Sequence, residues 1–153
     1  MYKKERKWLF TCFIDFKSAF DFISRPFLFF KLFKLGMSSK FLTILRDIYG
    51  DVESSMKIAG RLSCPFSSNI GVKQGCVLSP ALFNLFVSDL PSIFDSTCEP
   101  PSLYDTKVNC LMYADDLVVL SESAAGLQTA LNKLSVYCEK WGLTGINVKK
   151  LKS

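Results

Sequence analysis

Tyr113-Ala114-Asp115-Asp116 lies between two short apolar runs, Val108 to Met112 and Leu117 to Leu120, and carries the clearest chemistry in the chain. Two β-prone runs around a few turn-forming residues predict a tight hairpin with both aspartates at its tip. Crowded carboxylates repel unless a cation joins them. Mg²⁺ is the usual partner, because it takes oxygen ligands from one or two carboxylates and completes its shell with water and phosphate. A third carboxylate, Asp15, ends the apolar run Trp8 to Ile14. Sites gather where strand ends meet loops, so Asp15 is a candidate to join the pair. An Asp pair in a turn also has a purely local use, hydrogen bonding its own backbone. The residues alone leave both readings open.

Other chemistries are excluded more easily. The chain has no His, which removes the usual general base and most nucleophilic triads. Its six cysteines show no Cys-x-x-Cys spacing, so no zinc site is expected, and they read as reduced thiols of an intracellular protein. At 153 residues, 49% hydrophobic and 22% charged, without repeats, the composition is that of one folded domain. A mean hydropathy of +0.23 without a membrane-spanning run, together with 14 Phe, predicts apolar surface that meets a neighbour and no membrane partner. The net charge of +5 is uneven: residues 1–73 hold 13 Lys/Arg against 6 Asp/Glu, and residues 74–153 hold 6 against 8. The basic front suits a polyanion, and the acidic back repels one unless metal ions intervene.

The elements that would position the carboxylates follow from pattern. Residues 8–15 are aromatic and β-branched over one strand length. A helix is expected from the N-cap Ser24 to Gly36 as C′, with Phe27, Leu28, Phe30, Leu32, Phe33 and Leu35 as its wide apolar side, and a second from Ser39 to Tyr49. Residues 54–67 read as a hairpin with Pro65 on an edge. Gly71 to Val77 forms a glycine-flanked loop, whose glycines let backbone approach a ligand and whose Gln74 offers donor and acceptor. Ser79-Pro80 then reads as N-cap and N1 of a helix from Ala81 to about Leu90. Residues 91–107, with three of the six prolines, predict an irregular connection. Ala124 to Lys140 has helical spacing closed by Gly142, and 146–148 a last strand. The order is βαββαβ, a split βαβ pattern with residues 24–75 inserted after the first strand.

At these residues the chain resembles the palm of a reverse transcriptase of non-LTR (LINE-type) retrotransposons. Phe13-Ile14-Asp15-Phe16-Lys17-Ser18-Ala19-Phe20-Asp21 looks like its first palm motif. Gly71-Val72-Lys73-Gln74-Gly75-Cys76-Val77-Leu78-Ser79-Pro80 with Leu82-Phe83-Asn84 looks like its second, and Tyr113-Ala114-Asp115-Asp116 like its third. Trp141-Gly142-Leu143 with Asn147-Val148-Lys149-Lys150 is similar to the fourth, with an extra residue before Asn147 and Leu151 where Thr or Ser is usual. The resemblance implies an α+β polymerase palm with a βαββαβ, ferredoxin-like or RRM-like core and a fingers-proximal helical and hairpin insertion at about 24–75. It implies that Asp15 and Asp115 ligate two Mg²⁺ ions, with Asp116 a third carboxylate, for nucleotidyl transfer to a primer 3′-hydroxyl. Phe16 and Ala19 would present backbone to the triphosphate. Phe20 would clash with a ribose 2′-OH, Gln74 and Gly75 would line the base and template, and Lys150 would protonate the leaving pyrophosphate. Its partners would be an RNA template, a DNA primer and a deoxynucleotide.

Three readings follow: an RNA-directed DNA polymerase palm, a remnant of a retroelement that at most binds nucleic acid, and an RNA-directed RNA polymerase, against which Phe20 counts. The family carries fingers before the first motif and a thumb after the fourth. Only fourteen residues precede Asp15 and three follow Lys150. The expectation is a partial reverse transcriptase domain over 1–153, weak or inactive by itself.

Overall fold

A computed structural model describes residues 8–16, 19–50, 53–67, 70–73, 75–143 and 146–149. Fifteen regular elements run through it: β1 (Phe10–Phe16), α1 (Ala19–Phe22), α2 (Arg25–Lys34), α3 (Ser39–Gly50), β2 (Glu53–Ser54), β3 (Lys57–Ile58), β4 (Arg61–Leu62), β5 (Phe66–Ser67), α4 (Leu78–Phe86), β6 (Ser102–Leu103), β7 (Thr106–Lys107), β8 (Cys110–Tyr113), β9 (Asp116–Ser121), α5 (Ala124–Trp141) and β10 (Ile146–Lys149). Short 3₁₀ turns occupy Leu90–Ile93 and Ser96–Cys98. The chain divides into two compact units, Met1–Ala19 with Val87–Ser153, and Phe20–Phe86.

The first unit is built on a four-stranded antiparallel sheet of order β10-β1-β9-β8. Alternation sets its two faces. Cys12, Ile14 and Phe16 of β1 and Leu117 and Val119 of β9 are buried, whereas Phe13 is exposed and Asp15 half-buried. Helix α5 covers the buried face with Ala130, Leu134, Tyr137, Cys138 and Trp141, spaced to share one side of the helix. Both its ends are capped. The Ser123 side chain accepts from the Gly126 amide, and Gly142 closes the helix in the left-handed conformation, φ 68°. Gly126 is demanded by packing: a Cβ there would meet Ser121 Oγ at 2.5 Å and the Cys98 carbonyl oxygen at 2.7 Å.

The second unit holds α2, α3, α4 and two short ladders, β2 with β5 and β3 with β4, the latter joined through Ala59-Gly60, both with positive φ. Leu28 and Leu32 of α2, Leu42, Leu45 and Tyr49 of α3, and Leu82, Phe83 and Phe86 of α4 are buried.

Three expectations change. The buried side of α2 is Arg25, Leu28, Lys31 and Leu32, while Phe27, Phe30, Phe33 and Leu35 are exposed. The two cations are accommodated because each finds backbone carbonyls: Arg25 those of Tyr49, Ile70 and Gly71, and Lys31 that of Phe86. Helix α4 starts at Leu78, and Ser79 is no cap; its buried hydroxyl donates to the Lys73 carbonyl at 2.6 Å, an acceptor that local sequence does not reveal. The same helix stops at Phe86 rather than Leu90, and the chain tightens into i→i+3 bonding, Leu90 N–H to Val87 O at 2.9 Å, as Pro91 disfavours α-helix at the residue before it. Among the described residues no helix is long and apolar enough to cross a membrane.

Candidate functional site

Antiparallel pairing brings Asp15 and Asp116 together. They are direct register partners across β1 and β9, one step beyond Ile14 with Leu117 and three beyond Cys12 with Val119. Direct partners project from the same face of a sheet. The buried pairs point to α5, so Asp15 and Asp116 share the opposite, open face with Thr11, Phe13, Val118 and Leu120. On β8, Tyr113 is the partner of Asp116 and Leu111 of Val118, which continues that face; Tyr113 is 84% exposed.

Asp115 belongs to the two-residue turn between β8 and β9, after Ala114. Ala114 has φ 52°, a left-handed conformation that costs a residue with a Cβ roughly 1–2 kcal/mol. Strain of this kind persists where the surroundings over-determine the backbone. Here the Phe16 amide donates to the Asp115 carbonyl at 3.3 Å, tying the turn to the end of β1 beside Asp15. Phe16 itself is buried, 3% exposed, so its ring is core and its amide is engaged in that tie.

Asp15 and Asp115 are half-buried and Asp116 is exposed. Among the described residues, none of the three carboxylates accepts a hydrogen bond or joins an ion pair. Nor does any group of three carboxylate, thiolate or imidazole side chains among them stand close enough to hold a metal ion. The backbone register of Asp15 and Asp116 is set by the pairing of β1 with β9. The donor set is all carboxylate oxygen, which suits a hard divalent cation such as Mg²⁺.

Of the remaining candidates Ala19 ends the first segment of the first unit, Phe20 and Gly75 are in the second unit, and the others lie beyond the described residues. Ala19 opens α1. Phe20 is half-buried, its ring 5.2 Å from that of Phe83 at 43°. Gly75 is exposed with φ 77°, and an added Cβ would meet nothing, so glycine is required there by backbone conformation alone. Gln74 and Lys150 lie outside the described residues. Sequence reasoning missed Arg25, which is 7% exposed and bonded to the loop that leads to Gly75. No local signal marks it, since Arg at the start of a helix ordinarily reads as solvated. A cavity of about 560 Å³ in the first unit is walled by Asp89, Ile93, Lys133, Tyr137 and Trp141. None of the three aspartates lines it; of its polar groups Tyr137 donates to Asp89 within the wall, and Lys133 donates to Asp95.

Comparison with known proteins supplies the context. The sequence pattern of the family described as reverse transcriptase (RNA-dependent DNA polymerase) matches residues 1–153. The chain is 29% identical over 147 residues to a probable RNA-directed DNA polymerase from transposon BS of Drosophila melanogaster, covering 90% of this chain and 15% of the relative. It is 34% identical over 131 residues to a retrovirus-related Pol polyprotein from the type-2 retrotransposable element R2DM of the same organism, covering 80% and 12%. The chain thus spans a small part, 15% or 16%, of the length of the first relatives it matches. Among solved structures, telomerase from Candida albicans in complex with a fragment of telomeric RNA superposes with a TM-score of 0.65 at 19% identity, over 93% of this chain and 28% of that one. Telomerase from Candida tropicalis superposes with a TM-score of 0.63 at 16% identity, over 95% and 31%. That likeness is one of fold: an α+β arrangement like that of a reverse transcriptase.

Proposed function

The chain belongs to the reverse transcriptase family, its relatives being RNA-directed DNA polymerases of non-LTR retrotransposons, and from that premise we propose that it is the palm of such a polymerase, with a βαββαβ core, working by two-metal nucleotidyl transfer. The observation that carries the reading is the direct pairing of Asp15 with Asp116 on the open face of the sheet, Asp115 tied beside them, with no protein cation among the described residues to neutralise them.

Asp15 and Asp115 would hold two Mg²⁺ ions, with Asp116 the third carboxylate. Bound there, the ions supply a lowered pKa at the primer 3′-hydroxyl and charge stabilisation for in-line displacement at the α-phosphate. The 3′-hydroxyl would give up its proton to solvent, the bond from the 3′-oxygen to the α-phosphorus forms as the bond to pyrophosphate breaks, and Lys150 would give the leaving group its proton. Phe20 excludes the ribose 2′-OH, the group by which proteins tell the two sugars apart. Ala19 and the backbone after Asp15 face the triphosphate, and Gln74 and Gly75 lie beside base and template. The template is RNA and the primer DNA.

The 153-residue polypeptide alone extends a primer weakly or not at all. It spans a small part of its relatives, and it exposes aromatic faces, such as Phe27, Phe30 and Phe33, of a kind that isolated soluble domains rarely show. A second reading, a remnant that binds nucleic acid without catalysis, draws on there being, among the described residues, no group of three carboxylate, thiolate or imidazole side chains close enough to hold a metal ion. Primer extension on poly(rA)/oligo(dT) with Mg²⁺ separates them. A polypeptide extended toward the relatives' length should incorporate dTMP and lose this with Asp115→Ala, while the 153 residues alone show little. Inactivity of the extended polypeptide would sink the catalytic reading, and robust incorporation by the short one would refute the claim of weakness.

A further inference from the structure

Arg25 carries a charge in a place where charge is costly. It is 7% exposed, and among the described residues no carboxylate pairs with it. Burial pushes its pKa below the usual value, yet a guanidinium in a protein stays protonated. An apolar side chain of similar volume would fill the space without that desolvation. What only the planar fork of Arg does is donate in three directions at once: Nε to the Gly71 carbonyl at 2.9 Å, Nη1 to the Tyr49 carbonyl at 2.7 Å and Nη2 to the Ile70 carbonyl at 3.3 Å. Its guanidinium carbon lies 5.4 Å from the centre of the Tyr49 ring, adding a cation–π contact.

The segment Arg25 holds is bonded in turn to the segment that contains Phe20. Gly71 N–H donates to Ile23 O at 2.8 Å and Val72 N–H to Phe20 O at 2.7 Å, while Ser24 and Ile70 form a bridge. No slack remains at Gly71. Its φ is 78°, and a Cβ would stand 2.6 Å from the Asp21 carbonyl oxygen and 2.9 Å from that of Phe20. The Phe20 backbone is therefore held by residues 70–72 through the Val72 amide, and its ring packs against that of Phe83.

We propose that Arg25 is a positioning residue for sugar discrimination: by holding the carbonyls of Ile70 and Gly71 it seats residues 70–72 against Phe20 and so sets where the Phe20 ring stands. This rests on the polymerase reading, in which Phe20 meets the sugar. Arg25 does not touch the nucleotide; it acts through the Val72–Phe20 bond. Lysine cannot replace it, because a single ammonium does not span three carbonyls that a fork reaches from three nitrogens.

The test compares binding of dATP and ATP, each with Mg²⁺, to the wild-type chain, Arg25→Lys, Gly71→Ala, Phe20→Val and the double variant Arg25→Lys/Phe20→Val, by isothermal titration with folding checked by circular dichroism. Wild type should prefer dATP. Arg25→Lys and Gly71→Ala, which loosen the tie from opposite sides, should each cut that preference on the order of tenfold, less than the hundredfold that a 1 Å misplacement can cost. In the Phe20→Val background Arg25→Lys should cause no further loss, because it acts through a ring no longer present. A folded Arg25→Lys chain with the wild-type ratio, or an additive loss in the double variant, would overturn the proposal alone. No dATP binding by wild type would overturn the proposal, since Phe20 would then meet no sugar in this chain, while the polymerase reading stands or falls by primer extension with the extended polypeptide. Should the variants fail to fold, hydrogen exchange on the wild type decides: dATP should slow exchange of the Val72 amide more than ATP does, and equal rates would refute the tie.

Discussion

Replacing Asp116 with Asn separates a functional carboxylate from a structural one by the sign of its effect. Asp116 stands directly across from Asp15, and like charges in that relation are destabilising by roughly 0.2–1 kcal/mol. Coulomb's law agrees: two unit charges about 5 Å apart in water repel by about 0.8 kcal/mol. Asn keeps the size and removes the charge, so the variant should be the more stable chain when no divalent cation is present. For a chain of this length that is a rise of about 0.4–4 °C in the unfolding midpoint. The gain should shrink as salt screens the repulsion. With excess Mg²⁺ the order should reverse, since a cation bound by the folded state stabilises wild type and finds one ligand fewer in the variant. Thermal unfolding followed by circular dichroism, in EDTA and in MgCl₂, measures all of this. A lower midpoint for Asp116→Asn in EDTA at low salt would mean that the carboxylate holds the turn together, which is the local reading. Equal stabilisation of both chains by Mg²⁺ would refute the metal-binding role.

Two further outcomes follow from packing and burial. Gly126→Ala in α5 would ordinarily stabilise a helix by about 1 kcal/mol. Here the new Cβ would meet Ser121 Oγ and the Cys98 carbonyl, and overpacking typically costs about 1–3 kcal/mol, so a lower midpoint is expected in the same thermal assay and a raised one would contradict the packing. Burial, with Glu139 adding to it, pushes the Cys138 thiol up to about 11. The unfolded thiol, at 9.0, ionises first, so this contribution to stability is complete below pH 9.0 and is lost as the pH climbs through about 11. Urea midpoints should decline over that window, less steeply in Cys138→Ala, and an identical slope in the two chains would exclude the thiol as a cause.

The sequence was most legible where pattern and local chemistry agree. Helix α5 announces itself by spacing and by Gly142, and the hairpin by Asp115-Asp116 between two apolar runs. The pairing that matters most is the least local: Asp15 meets Asp116 across one hundred residues, and only the order of the strands makes them partners. Elsewhere tertiary bonds overrode local preference. Ser79 turned from cap to core because the Lys73 carbonyl needed a donor, and Arg25 and Lys31 entered the interior in place of Phe27 and Phe30 because carbonyls awaited them. Composition carries no trace of such acceptors, since every residue has a carbonyl and only the fold decides which are left without a partner.

The central claim is that Asp15, Asp115 and Asp116 together hold divalent metal. Titrating the isotopically labelled chain with Mn²⁺, a paramagnetic substitute for Mg²⁺, and following amide resonances by NMR tests it most directly. Broadening should begin at Asp15, Asp115, Asp116 and their immediate neighbours, be relieved by excess Mg²⁺, and vanish from these positions in Asp15→Asn. Broadening spread evenly over the surface carboxylates, or unchanged at the hairpin in Asp15→Asn, would contradict it.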